Sequence, residues 1–221
     1  RKKEAALVCA VNLFNEIYED LSHNNSEGLR RMAANIALLM HNQASPDARI
    51  LTVEPGVPQS GQFIGFLRSA FLELDRPPLS PCPHSAACPM PGGKTAGAKN
   101  RWCHFAFSAT DAPKELLRLS SAAGISKERL VLSYLLAGSQ TQAQPSAKTA
   151  EKVRVISDAF ALPNKKIGRY ACCSDGLVLL TGDKIRIEKI ASGELVSKNY
   201  FSIPVTDRRD AKSGALIMEV K

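Results

Sequence analysis

The chain has 221 residues, is 44% hydrophobic and 23% charged, and carries a formal net charge of +8. That balance suits a globular protein with one medium core or two small ones. No apolar stretch approaches the length of a bilayer span, which excludes a transmembrane protein. The basic excess is one-sided: residues 1–81 hold 8 Lys and Arg against 9 Asp and Glu, residues 82–221 hold 21 against 12. A localised positive face is the footprint of a phosphate-backbone binder, although a merely solvated surface has the same composition. From Arg1 onward no signal-peptide pattern is visible.

In chain order, residues 5–11 (Ala-Ala-Leu-Val-Cys-Ala-Val) form a continuous apolar run, the pattern of a strand buried on both faces. Asn12 to Glu16 leads from it into a helix. Residues 27–43 predict a second helix, with Leu29, Met32, Ile36, Leu39 and Met40 at helical spacing. After the break at Ser45-Pro46-Asp47, residues 49–53 read as a β-branched strand closed by Glu54-Pro55-Gly56. A helix over about 60–74 follows, with Phe63, Phe66, Leu67, Ala70, Phe71 and Leu74 on one face. This alternation predicts an open, largely parallel α/β sheet.

The segment from Arg76 to Asn100 has no useful periodicity and contains Pro77, Pro78, Pro81, Pro83, Pro89 and Pro91. Proline on this scale forbids a helix and removes ladder donors, so a long functional loop is expected. Residues 101–107 return to strand character, 112–122 suit a helix, and 128–136 suit another buried strand. Gly138 to Ala147 is rich in Gly, Ser, Gln and Pro and marks a boundary. Short apolar alternations then recur at 153–156, 167–173, 177–181, 185–190 and 200–205, predicting a small β-rich domain. The predicted division is 1–138 with a Cys-rich loop at 76–104, a linker at 139–150, and a basic β-rich domain at 151–221.

Six cysteines are present. Cys9 sits in an apolar strand and reads as a small core residue. Cys82 and Cys88 lie in the Pro-rich loop, and Cys103 follows Trp102. A loop without regular hydrogen bonding can wrap several thiolates around a metal, and proline reduces the entropy lost in doing so. Disulfides do not suit a pattern that looks cytosolic. Zinc fits Cys82, Cys88 and Cys103 completed by His84, His104 or a later cysteine. An iron–sulfur cluster fits with Cys172 or Cys173 as the fourth thiolate. Spacing indicates a metal without choosing between these two.

Several runs carry a resemblance. They are Ile50 to Pro58, Ser80-Pro-Cys82-Pro-His84 through Cys88-Pro89, Arg101-Trp-Cys103-His-Phe105, Gly168 to Gly176 and the opening Leu7 to Glu16. Together, over residues 5 to about 181, they resemble the ribosomal small-subunit methyltransferase-like family, which includes the mitochondrial small-subunit assembly factor and bacterial relatives. The resemblance implies a Rossmann-like methyltransferase body, a [4Fe–4S] cluster and work on small-subunit rRNA, in the bacterial cytoplasm or the mitochondrial matrix. It places the cluster thiolates on Cys82, Cys88, Cys103 and Cys172, the last by its spacing to Gly176. It also implies that residues 5–11 correspond to the fourth strand of that sheet, so the expected fold is a partial, C-terminal half of an α/β Rossmann-like sheet followed by the β-rich domain. The strands at 49–53, 101–107 and 128–136 would then be the fifth, sixth and seventh.

A departure accompanies this. S-adenosylmethionine sites of this kind use a Gly-rich turn and an acidic ribose partner, and no Gly-x-Gly occurs in the chain. The cofactor would bind only if a missing N-terminal half were supplied. Asn12, Asn15, Glu16 and Glu54 are the candidates for the cofactor edge, because ligands meet the carboxyl ends of open sheets; Asn12 is equally a helix cap. Trp102 either stacks on a base or shields the metal. Lys165, Lys166, Arg169, Lys184 and Arg186 are the candidate RNA contacts, with Lys189, Arg208, Arg209 and Lys212 adding charge. No Gly-x-Ser-x-Gly, His-Glu-x-x-His or P-loop occurs, which leaves no hydrolase reading. Three functions follow: an S-adenosylmethionine-dependent methyltransferase of rRNA or a ribosomal protein, a non-catalytic assembly factor, and a zinc-stapled RNA-binding module.

Overall fold

Two sheets, each with its own apolar core, meet along a third, smaller cluster that contains cysteine. The computed structural model describes residues 5–18, 26–90, 102–126, 128–142, 151–202 and 208–221. The first sheet is built from β1 (Ala5–Val11), β2 (Ala44–Pro55), β3 (Pro78–Ser80), β4 (Phe105–Ser108) and β5 (Arg129–Ala137). Its order is β1-β2-β5-β3, with β4 also paired to β5. β3 meets β5 at Leu136 and Ala137, and β4 meets it over Arg129 to Leu132.

β1 and β2 are parallel, so the chain must cross over between them, which it does through α1 (Phe14–Tyr18) and α2 (Ser26–Gln43). The remaining pairings of this sheet, β5 with β2, β3 and β4, are antiparallel. The expectation of a largely parallel sheet is corrected here. A strand buried on both faces reads as the same apolar run whichever way it points, so sequence carried no direction. α3 (Pro58–Glu73) starts with Pro at its first turn, where a missing N–H costs nothing. It packs Phe63, Leu67 and Phe71 with Leu29, Ala33, Ala37 and Met40 of α2 and with Ile50 and Leu135 of the sheet.

Three further expectations change. β1 lies at the sheet edge and exposes Leu7 and Val11, each 56% accessible, and Cys9 is exposed, not a core residue. The Pro-rich loop does contribute a strand, β3, which sits against β5 at the sheet margin, where proline is tolerated. The strand expected at 101–107 is confined to Phe105–Ser108. The helix expected at 112–122 is α4 (Lys114–Ala122). Within the linker expected at 139–150, residues 143–150 lie outside the described residues, as do 91–101 of the cysteine loop.

The second sheet comprises β6 (Lys152–Val155), β7 (Phe160–Ala161), β8 (Ile167–Cys173), β9 (Gly176–Gly182), β10 (Leu195–Ser197), β11 (Phe201–Ser202) and β12 (Leu216–Val220). Its order is β10-β6-β8-β9-β12-β11, with β7 on β8. β8 and β9 form a hairpin from Ile167↔Gly182 to Cys173↔Gly176, and Gly176 holds φ +108 at the turn. Residues 185–190, expected as a strand, instead lie mostly in a helix, α5 (Lys184–Glu188). Asp183 caps it by accepting the Arg186 N–H at 2.9 Å, and Ile187 and Ile190, three apart, are the buried pair. The alternation of charges and isoleucines concealed a helical period. Among the described residues, no helix is long and apolar enough to cross a membrane.

Candidate metal centre

Where the sheets meet, Phe105, Ile156 and Cys172 are buried together, with Cys103, Tyr134, Tyr170 and Leu177 packed against them. Hydrogen bonds join the sheets beside this cluster. Arg154 of β6 donates Nε–H to the Pro81 carbonyl at 2.8 Å, and the Ala106 N–H donates to Ser192 Oγ at 3.1 Å. The fold therefore brings Cys82 and Cys88 of the loop and Cys103 before β4 against Cys172 of β8.

The thiols influence one another. Burial pushes the Cys103 thiol well above its ordinary range, and the neighbouring Cys82, Cys88 and Cys172 push it further. Cys172 is raised chiefly by burial, then by Cys82, Cys88 and Cys173. Cys82 and Cys88 are raised by burial too, with Arg68 opposing. Among the described residues, no group of three or more His, Cys, Asp and Glu side chains closes as a cage around a single ion.

Arg68 organises the loop. It is 2% exposed, and its guanidinium donates to Cys82 Sγ at 3.2 Å, to the His84 carbonyl at 2.9 Å and to the Ala86 carbonyl at 2.7 Å. A buried cation beside a thiol favours the thiolate. Arg154 adds positive potential at Cys82 and Cys103 from the other sheet. His84 Nε2 lies 3.1 Å from Cys172 Sγ, and burial, then the Arg68 charge, lowers the pKa of its ring. His104 Nδ1 is 3.0 Å from the Trp102 carbonyl, and its ring stacks on Trp102. Trp102 donates Nε1–H to the Gly56 carbonyl at 2.8 Å and packs on Gly61, where an added Cβ would come within 2.8 Å of it. Sequence reasoning missed Arg68 and Arg154. The available signal was a lone arginine on the apolar face of α3 and another between two core valines.

Cys173, the alternative fourth thiolate, is fully buried in the second core and its Sγ is 3.8 Å from Asp175 Oδ2. The cofactor-edge candidates gather elsewhere, at the carboxyl ends of β1 and β2. Asn12 is exposed, at φ +49, and Glu16 is exposed. Glu54 is completely buried, and its carboxylate accepts from the backbone N–H groups of Leu13 at 3.3 Å, Phe14 at 3.0 Å and Asn15 at 3.0 Å. It fixes the turn into α1. Asn15 donates to Glu16 at 2.7 Å, and its own Oδ1 is buried without a partner among the described residues.

The basic candidates divide. Lys165 and Lys166 follow β7, and Lys184 and Arg186 lie on α5; all are exposed. Lys166 pairs with Glu219 at 2.8 Å, Lys184 with Glu188 at 3.8 Å and Arg186 with Asp183 at 3.2 Å. Arg169 is 8% exposed and donates to the Ile187 carbonyl at 3.3 Å and the Ser157 carbonyl at 3.1 Å. It is a buried strut between β8, the end of α5 and the Ser157 turn. In β8 alternate residues face opposite sides, and this position faces inward.

The family model described as mitochondrial small ribosomal subunit Rsm22 matches residues 5–177. The chain belongs to the Rsm22 family. A comparison with curated proteins gave no match. The Rsm22 match contains the whole first sheet and all four candidate thiols, and ends within β9. Lys184 and Arg186 of α5 lie beyond it.

Proposed function

We propose that the chain serves the small ribosomal subunit as an assembly factor, and that Cys82, Cys88, Cys103 and Cys172 hold a [4Fe–4S] cluster that staples its two sheets. One observation carries the metal reading: the thiols of Cys82, Cys88 and Cys172, from separate segments, all act on that of Cys103 at the junction of the sheets. The donor set fits, since thiolates suit iron–sulfur ligation and a buried guanidinium already faces one sulfur. When bound, such a cluster supplies iron–thiolate bonds that cross-link the fold and a one-electron redox couple. Arg68 and Arg154 offset thiolate charge, Arg68 fixes the Cys82–Ala86 turn, and His84 contacts Cys172. The ribosomal reading rests on family membership and on the basic excess after residue 81. It implies a mitochondrial matrix or bacterial cytoplasmic setting.

The parallel β1–α–β2 crossover supports reading the first sheet as the C-terminal half of a Rossmann-like sheet. So does β1, an interior type of strand that exposes Leu7, Cys9 and Val11 at the edge. The residues at its carboxyl ends do not fit S-adenosylmethionine: no Gly-rich turn is present and Glu54 is committed to backbone N–H groups. We derive no methyl transfer for this chain. The test is anaerobic purification followed by iron, sulfide and zinc analysis, with small-subunit rRNA binding measured on the same sample. Iron with equal sulfide is expected. Stoichiometric zinc without iron would replace the cluster by a zinc staple, and absence of rRNA binding would remove the ribosomal role.

A further inference from the structure

Beside the thiols, between Trp102 and His104 of the first sheet's approach and the Ser157–Phe160 turn of the second, lies a cleft of about 220 Å³. Its size suits one planar ring system and is below that of a drug-sized ligand site. Four of its lining residues are rings: Trp102, His104, Phe160 and Tyr170. They are paired, Trp102 with His104 at 4.8 Å and Phe160 with Tyr170 at 5.0 Å between centroids, so each wall is a braced aromatic surface. Aromatic walls of this kind stack nucleobases.

The cleft carries one carboxylate. His104 Nδ1 lies 3.0 Å from the Trp102 carbonyl, so one ring nitrogen is already engaged. Asp158 lines the cleft, and Arg129 at the rim grips its Oδ1. Among the described residues Oδ2 takes no hydrogen bond. The turn is held rigidly: Arg169 donates to the Ser157 carbonyl at 3.1 Å, and Ser157 Oγ accepts the Tyr170 N–H at 2.8 Å. A wall ordered in advance loses less entropy on binding.

We propose that this cleft takes one unstacked guanine of the RNA on which the protein works, a proposal that rests on the small-subunit reading above. Guanine is the base whose Watson–Crick edge offers two adjacent donors, N1–H and N2–H, to a carboxylate. Adenine and cytosine each place a ring acceptor on that edge, which a carboxylate repels. The half-exposed Arg129 sets a positive charge at the mouth for the attached phosphate.

The test uses the whole chain, purified anaerobically, and single-stranded RNA oligomers that differ at one central position, G or A, with small-subunit rRNA as reference. The G oligomer is expected to bind about tenfold more tightly, the discrimination of a good two-point base contact. Asp158→Asn should abolish that preference while the protein still melts cooperatively. Arg129→Gln breaks the same ion pair but keeps the acceptor, so it should retain the preference; a purely structural ion pair would make the two variants behave alike. Equal binding of the G and A oligomers, or an Asp158→Asn variant that still prefers G, overturns the cleft proposal while rRNA binding stands. No binding of any RNA overturns the ribosomal reading and this proposal with it.

Discussion

The thiol centre and the basic face of the second sheet are built in opposite ways. At the centre the thiols are buried or half-buried, and Arg68 alone, itself buried, fixes three groups of one turn. On the basic face Lys166, Lys184 and Arg186 stand in solvent, each balanced by a carboxylate. Exposed pairs of this kind contribute little, about 0 to 1 kcal/mol, and exchange readily for a phosphate. The contrast separates a site that specifies geometry from a surface that supplies charge. Changes at the first should be large and structural, and changes at the second small and dependent on salt.

The largest effect is expected from Cys172→Ser. Cys172 is the thiol contributed by the second sheet, so losing it removes the cross-link as well as a ligand. Bound iron should fall to near background, and the thermal transition should lose the stabilisation seen on metal loading. Cys9→Ser, at an exposed position on β1, should leave iron content unchanged. Iron retained at wild-type level in Cys172→Ser would shift the fourth ligand to Cys173.

Arg68→Gln comes next. It strips the donor from Cys82 Sγ and from two carbonyls, all part-buried; a fully buried acceptor left unsatisfied costs about 1 to 3 kcal/mol, and these cost less where water can reach them. Denaturant unfolding should show a drop in stability of about 3 kcal/mol on that basis. Metal affinity should drop about tenfold, the usual range for a residue that orients ligands. An unchanged midpoint would show the loop to be held by the cysteines alone.

Acid should oppose metal loading. The four thiols are raised above their ordinary range, so each must release a proton to become a ligand. The sign for the metal-free fold follows: it binds protons more tightly than the unfolded chain. Its thiol contribution is complete below the unfolded cysteine pKa, about 8.5, and is lost as pH rises toward the folded values. Melting of apo and loaded protein between neutral and alkaline pH should show the apo transition falling earlier. Parallel curves would mean that the thiols are not the groups that bind metal.

Much of this was legible in the sequence, and the failures have physical causes. The apolar period of α2 and α3 and the β-branched run of β2 announced themselves, because packing against one face leaves a pattern. Strand direction did not, nor did the helix α5, whose five residues are too few to separate two periods. The cysteine loop was readable from its composition, yet its organiser was not. A buried arginine looks like any other until the carbonyls and sulfur around it are known. The structural role of Glu54 was hidden for the same reason: a carboxylate at the end of a strand reads as a ligand contact, and only the fold revealed three backbone N–H groups aimed at it.

The smallest effect belongs to the basic face, and Arg169 sharpens it. Replacing Lys165, Lys166, Lys184 and Arg186 together by Gln should weaken rRNA binding without preference for sequence. For every lysine or arginine that neutralises a phosphate, its removal should flatten the dependence of log affinity on log salt by about 0.7 for single strands. Folding should change little, since the ion pairs removed are exposed. Arg169→Gln should do the reverse. Its guanidinium joins β8 to the Ser157 turn and to the end of α5, so the variant should melt earlier and keep the wild-type salt slope. Titrations of rRNA at two salt concentrations distinguish the pair. A flattened slope in Arg169→Gln, with its melting unchanged, would return that residue to the RNA surface. An unaltered slope in the quadruple variant would leave the exposed charges with no work beyond solubility.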